Sequence, residues 1–162
     1  MSEFITPQNK VVAYVSGASK VYKTGDTEIT ALEPTTLEVN RGELLLIIGP
    51  SGSGKTTLVN AIINEMVNHD PTERIFIIED TGEIQCAAEN FVQYHTSLDV
   101  SMTQLLKTTL RMRPDRILVG EVRGEEALDL LDAWNTGHEG GAATLHANDA
   151  LSGLTRLNSL IT

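Results

Sequence analysis

Leu44-Leu45-Leu46-Ile47-Ile48-Gly49-Pro50-Ser51-Gly52-Ser53-Gly54-Lys55-Thr56-Thr57-Leu58-Val59-Asn60-Ala61-Ile62-Ile63 joins two apolar runs of different period through a glycine-rich turn. The first run, bounded by glycine, has the form of a strand buried on both faces. In the second, Leu58, Ile62 and Met66 recur at helical spacing beside Val59, Ile63 and Val67, until Asn68-His69-Asp70-Pro71 ends the pattern. Gly49, Gly54, Lys55 and Thr56 fill G-x-x-x-x-G-K-[ST]. Glycines let consecutive backbone N–H groups point inward at phosphate oxygens, and the following helix aims its positive end at them. The expectation is a nucleoside triphosphate site built from Gly49, Ser51, Gly52, Ser53, Gly54, Lys55, Thr56 and Thr57. Lys55 is placed to reach the β and γ phosphates, and Thr56 to offer a hydroxyl to a bridging Mg²⁺. A chance Gly/Ser-rich loop is the competing reading; the strand before and the helix after count against it.

Working outward, Val11, Ala13 and Val15 alternate with polar or smaller residues, Lys23-Thr24-Gly25-Asp26 reads as a turn, and Ile29 to Leu32 returns as a second extended segment. The pattern predicts a meander of antiparallel strands to about Val39, with a turn at Asn40-Arg41-Gly42 before a strand over Leu44 to Ile48. Downstream, Ile75 to Ile78 is a buried strand ending in Glu79-Asp80. Ser101-Met102-Thr103-Gln104 opens a helix with a capping box, running to about Arg113 and stopped by Pro114. Ile117 to Val119 is a third buried strand, ending at Gly120-Glu121; Ala142 to His146 is a fourth. Glu125 to Asn135 is helical, with Ala127, Leu130, Leu131 and the core residue Trp134 on one side and Gly137 as its stop. Leu151 to Ile161 forms the last helix. Buried strands alternating with amphipathic helices predict an α/β fold: a P-loop NTPase with a mostly parallel central sheet flanked by helices, preceded by the antiparallel meander.

The 162 residues suit one domain. No run approaches the roughly 18 apolar residues of a membrane span. No basic segment followed by an apolar stretch marks a secretory signal, and the lone Cys86 has no internal disulfide partner. A cytoplasmic setting is expected, at most peripheral to the inner face of the membrane. A formal charge of -10 argues against direct nucleic-acid binding through clustered Lys and Arg. The charge is uneven: residues 1–58 hold 5 basic and 6 acidic side chains, residues 59–162 hold 7 and 16.

Two resemblances meet at the loop. Lys20-Val21-Tyr22-Lys23-Thr24-Gly25, Ile29-Thr30-Ala31-Leu32 and Leu37-Glu38-Val39-Asn40-Arg41-Gly42-Glu43, leading into the loop, resemble ABC-transporter ATPases of the lipoprotein-release and macrolide-export type over about residues 18–58. That likeness implies Tyr22 as a platform stacking on adenine; a tyrosine packing the edge of a small sheet is the alternative. Beyond the loop it fails, since the signature Leu-Ser-Gly-Gly-Gln is absent. Ile78-Glu79-Asp80-Thr81-Gly82-Glu83, Leu110-Arg111-Met112-Arg113-Pro114-Asp115 running into Ile117-Leu118-Val119-Gly120-Glu121-Val122-Arg123-Gly124, and Gly137-His138-Glu139-Gly140-Gly141-Ala142-Ala143-Thr144-Leu145-His146-Ala147-Asn148 instead resemble the Asp box, Walker B region and His box of conjugative-transfer members of the type II/IV secretion ATPase superfamily. The change of likeness, with the charge step, reads as a chimera joined at a shared motif.

Each of these motifs ends an apolar run, so a parallel sheet gathers their polar residues at one edge with the phosphate loop. The secretion-ATPase resemblance implies Glu83 orienting water for attack, Glu121 holding Mg²⁺ or its water shell, Glu79 and Asp80 in support with Asp80 as a metal ligand, and His146 as γ-phosphate sensor. Arg111, Arg113 and Arg123 could act on the transferring phosphate from the same subunit or a neighbour, or pair with nearby acids; Arg113 and Arg123 are the catalytic candidates. His138 has no assigned role. The functional expectation is Mg-dependent ATP binding and hydrolysis by a motor core, a hexamer if motor-like and otherwise a monomer or dimer, touching membrane secretion machinery peripherally. A nucleotide-binding scaffold with little turnover is the alternative, and an ABC transporter subunit the weaker one. Both families normally carry further domains that this chain lacks, so it reads as a single domain truncated at its carboxyl end.

Overall fold

Two strands of fourteen residues, Val11–Thr24 (β1) and Thr27–Asn40 (β2), pair antiparallel in the computed structural model, which describes residues 11–40, 45–138 and 140–162. The expected meander is thus one long hairpin. Gly25, at φ +62°, starts its two-residue turn as such turns require. Pairing slips four times, and Pro34, which has no N–H to give, lies within one slipped stretch. The hairpin is a sheet of its own rather than an edge of the central one.

The apolar run before the glycine turn forms Leu46–Ile48 (β3), and the run after it Lys55–His69 (α1). Val59, Ile62, Ile63 and Met66 form the buried stripe of α1, and Asp70, extended, closes it through an N–H to the Met66 carbonyl. Next come Ile75–Glu79 (β4), Phe91–His95 (β5), Met102–Thr109 (α2), Arg116–Val119 (β6), Glu126–Asn135 (α3), Ala142–Leu145 (β7) and Ala150–Ile161 (α4). Strand order is β3-β7-β6-β4-β5, all parallel.

Alternation along the strands splits the core in two. Ile47, Ile75, Ile77, Leu118 and Ala142 pack with α1 and with Ala13, Val15 and Val39 of the hairpin. Ile78, Ile117, Val119, Ala143 and Leu145 pack on the other face, with α2, α3 and α4. Helices therefore cover both faces, as a parallel sheet demands. Gly153 lets α4 come close to β3, since a Cβ there would stand 2.8 Å from Ile48 Cδ1.

Two features depart from expectation. β5 was not foreseen. The helix opened by Ser101 has its capping box, but α2 ends at Thr109, a 3₁₀ turn spans Leu110–Met112, and Arg113 is left-handed at φ +56°. Residues 41–44 of the expected turn and strand start, and Glu139 of the His box, lie outside the described residues.

Candidate active site

Four strands deliver their carboxyl ends to one edge of the sheet: Gly49 follows β3, Asp80 follows β4, Gly120-Glu121 follow β6 and His146 follows β7. Such an edge is where open α/β sheets bind ligands. A cavity of about 410 Å³ lies there, lined among others by Tyr22, Lys55, Thr56, Glu83, Glu121 and His146.

The loop is shaped by glycines at Gly52, φ +77°, and Gly54, φ +85°. A Cβ on Gly54 would collide with the Ala31 carbonyl of β2, so the hairpin backbone rests directly on the loop. Lys55 Nζ donates to the Gly49 and Pro50 carbonyls at 2.7 and 2.9 Å, which folds the ammonium over the loop's own mouth. Ser51, Gly52, Gly54, Thr56 and Thr57 line the cavity with it. Gly49 and Ser53 brace the loop: Ser53 N donates to the Pro50 carbonyl, and a side chain on Gly49 would press on Ser53 Oγ.

After β4 the chain folds back on itself. Glu83 N donates to the Thr81 carbonyl at 2.7 Å, and Asn60 of α1 holds the Glu83 carbonyl and the Gln85 N–H. Glu83 Oε2 thereby reaches the Thr56 hydroxyl at 3.1 Å. Across the cavity Glu121 meets His146 Nε2 at 3.2 Å through Oε1 and Arg123 Nη2 at 2.7 Å through Oε2. Arg123 also bonds Asp80 at 2.7 Å. The hydrogen bond that Arg123 donates to Glu121, with the charges of Glu121, Asp80 and Glu126, raises the guanidinium's pKa further, so Arg123 is a fixed cation between two loops.

The cavity wall thus unites most of the residues singled out from the sequence, Tyr22 included, half-exposed at the lip with Lys20 Nζ 5.3 Å from its ring centroid. Arg113 is not brought there: it precedes β6 and so sits at the opposite, amino-terminal edge of the sheet. Arg111 stands in the 3₁₀ turn on that side too, and His138 Nδ1 contacts the Pro114 carbonyl at 2.9 Å. Trp134 is packed against the core as expected, its indole N–H on the Ile117 carbonyl. Asp80 accepts from the Thr96 hydroxyl at Oδ1 and from Arg123 at Oδ2, both at 2.7 Å.

Sequence reasoning passed over Gln93, Asn60 and Thr144. The Thr144 hydroxyl donates to the Gly120 carbonyl at 2.5 Å, locking β7 to the turn that carries Glu121. The aromatic and β-branched residues of Phe91-Val92-Gln93-Tyr94-His95 are the one local sign that Gln93 lies in a strand; that this strand pairs with β4 is a tertiary fact.

Among the described residues no group of three or more His, Cys, Asp or Glu side chains is placed to hold a metal ion. The oxygens at hand, Thr56 Oγ1 with Glu83 and Glu121, suit a hard cation that completes its shell with phosphate and water, the habit of Mg²⁺. Among the described residues no helix is long and apolar enough to cross a membrane.

The family model for type II/IV secretion system proteins matches residues 16–162. The chain is 62% identical over 116 residues to the conjugal transfer protein TrbB of Rhizobium radiobacter, covering 72% of this chain and 36% of that one. It is 46% identical over 129 residues to the type IV secretion system protein PtlH of Bordetella pertussis, covering 75% and 37%. The VirB11 ATPase of Brucella suis, solved with sulphate, superposes with a TM-score of 0.66 at 34% identity over 71% of this chain and 33% of that one. The chain therefore spans about a third of the length of these relatives. The ATP-binding cassette MJ0796 shares the fold, with a TM-score of 0.53 at 19% identity over 87% of this chain and 90% of that one. The phosphate loop and converging strand ends, with a family match that runs from the hairpin to the last helix, make this chain a member of the type II/IV secretion system protein family with a P-loop NTPase fold.

Proposed function

We propose that the chain is the ATP-binding and hydrolysing core of a secretion or conjugation motor, working with Mg²⁺. One observation carries the reading: Lys55, Thr56, Glu83, Glu121 and His146, from four separate loops, surround a single cavity at the carboxyl edge of the sheet. Lys55 leaves the Gly49 and Pro50 carbonyls to meet the β and γ phosphates. Thr56 and Glu121 would hold Mg²⁺, which when bound would supply positive charge against the phosphates. Glu83 orients a water and takes its proton at the carboxylate, while His146 answers to the γ phosphate from its seat on Glu121. Tyr22 offers its ring to adenine. Asp80 and Arg123 steady Glu121.

Phosphate release from Mg-ATP, followed across protein concentrations beside Lys55→Ala and Glu83→Gln, tests this. Release lost in both variants and rising per molecule with concentration supports an assembled motor, with Arg113 reaching a neighbour's cavity and six copies as the expected ring. No release above the Lys55→Ala background rejects it. That outcome favours a nucleotide-binding scaffold with little turnover, for which the engaged states of Lys55 and Arg123 are the specific observation.

The whole motor's cargo and its peripheral contact with a membrane machinery belong to the same proposal. So does a separate ancestry for residues 18–58, supported by their ABC-like motifs and the charge step at the loop. Grafting the hairpin of an ABC ATPase over residues 18–48 is expected to leave nucleotide affinity unchanged; loss of binding would refute a shared joint.

A further inference from the structure

We propose that Glu79 and Gln93 form a two-residue clamp that positions Glu83, an inference that rests on the role proposed above for Glu83. Glu79 ends β4 and is 2% exposed. Its Oε2 accepts both the Glu83 and Ile84 N–H groups, at 3.0 and 3.1 Å. Its Oε1 accepts the Gln93 amide from the neighbouring strand β5, with His95 Nε2 at 3.5 Å. The same Gln93 nitrogen donates to the Ile84 carbonyl at 3.1 Å. Strand end, edge strand and returning loop are thus tied at one point.

The pattern of donors makes the clamp directional. Gln93 Nε2 faces two acceptors, Glu79 Oε1 and the Ile84 carbonyl, so turning the amide over would set oxygen against oxygen. Glu79 in turn accepts from two backbone N–H groups and an amide, with the His95 imidazole beside them. Gly120 lets the neighbouring strand end lie against this carboxyl, since a Cβ there would stand 2.7 Å from Glu79 Cβ. What the clamp fixes is the backbone at Glu83, whose carboxylate then spans to the Thr56 hydroxyl. A displacement of about 1 Å in such a group is enough to remove much of a rate. Glu79 and Gln93 are positioning residues; neither is asked to touch nucleotide.

The test has two arms. The first is amide hydrogen exchange in the 162-residue chain, resolved at Glu83, Ile84 and, as a reference in the core, Leu118. Gln93→Glu keeps side-chain size but replaces the donor with a third acceptor, and Gln93→Met removes the donor without adding one. The expected result is exchange at Glu83 and Ile84 faster by about tenfold in Gln93→Met, and more in Gln93→Glu, with Leu118 unchanged. Equal exchange in wild type and both variants, a larger effect in Met than in Glu, or a rise shared by Leu118 would overturn the clamp. Glu79→Gln serves as the harsher variant, and the two Gln93 substitutions keep the answer readable if it does not fold. In the second arm the same proteins turn over Mg-ATP: kcat falls about tenfold with KM within about twofold, and Gln93→Met has no further effect in a Glu83→Gln background. A raised KM at constant kcat would overturn positioning of Glu83. Wild type with no release above the Lys55→Ala background, but with the expected exchange pattern, sinks the ATPase reading and leaves the clamp standing.

Discussion

The hairpin and the parallel sheet hold their shape by opposite means. β4 is buried at all five positions and β6 and β7 at all four, whereas most of β2 is exposed. The hairpin is anchored by a few small side chains, Ala13, Val15 and Val39, laid on α1. Yet both regions meet the cavity, the sheet with its carboxylates and the hairpin with Tyr22 and Ala31 at the lip. Groups that must be held to within fractions of an ångström come from the close-packed region. A stacking surface tolerates looser support.

An ion pair on each side makes the contrast measurable. Arg116, in β6, is almost wholly buried, bonds the Gly140 carbonyl at 2.8 Å and pairs with Glu73; Lys23 and Glu28 pair at 2.7 Å on the open face of the hairpin. Glu73→Ala leaves a buried guanidinium without its counter-charge, and denaturant unfolding should show a loss of about 3–5 kcal/mol. Glu28→Ala should change stability by less than about 0.5 kcal/mol. Similar losses in the two would break the comparison.

Side-chain truncation should follow suit. Ile77→Ala opens a cavity in the middle of β4 and is expected to cost about 2–5 kcal/mol. Ile29→Ala, on an exposed stretch of the hairpin, should stay within about 0.5 kcal/mol in the same unfolding experiment.

Function offers a sharper division. Tyr22→Ala should weaken ATP binding about tenfold in a fluorescence titration, while leaving the single-turnover rate of bound nucleotide near wild type. If the rate at saturation falls instead, the hairpin takes part in positioning and the division fails.

The smallest effect concerns α4. The Ser152 hydroxyl and N–H hold the Asp149 carboxyl below its ordinary range, and the side chain caps the helix. Because the folded-state pKa is lowered, this contribution is whole above the ordinary carboxylate pKa and fades as pH falls through the lower folded value. Asp149→Ala should therefore lower stability modestly at neutral pH and match wild type in strong acid, so the acid limb of a stability profile becomes flatter.

Much of this site could be read before any coordinates. The glycine pattern around Lys55 announces itself because steric freedom and phosphate contact demand those residues at those spacings. Glu83, Glu121 and His146 are singled out by the resemblance of their motifs to those of secretion ATPases; that these motifs converge follows because each ends an apolar run and parallel strands send their ends to one edge. Arg113 stands apart from Glu121 although both sit in one motif: the motif straddles β6, and a strand separates its ends by its own length.

Local order along the chain dictated the strand, the loop, the helix and the chemical character of the cavity, since period, glycine placement and end residues act over a few positions. Tertiary structure alone decided that the hairpin would rest on Gly54, that Arg123 would bridge Asp80 and Glu121, and that Gln93 would face Glu79. Those contacts join residues from different strands and loops. Their geometry is set by strand order and packing, which no local pattern in the sequence records.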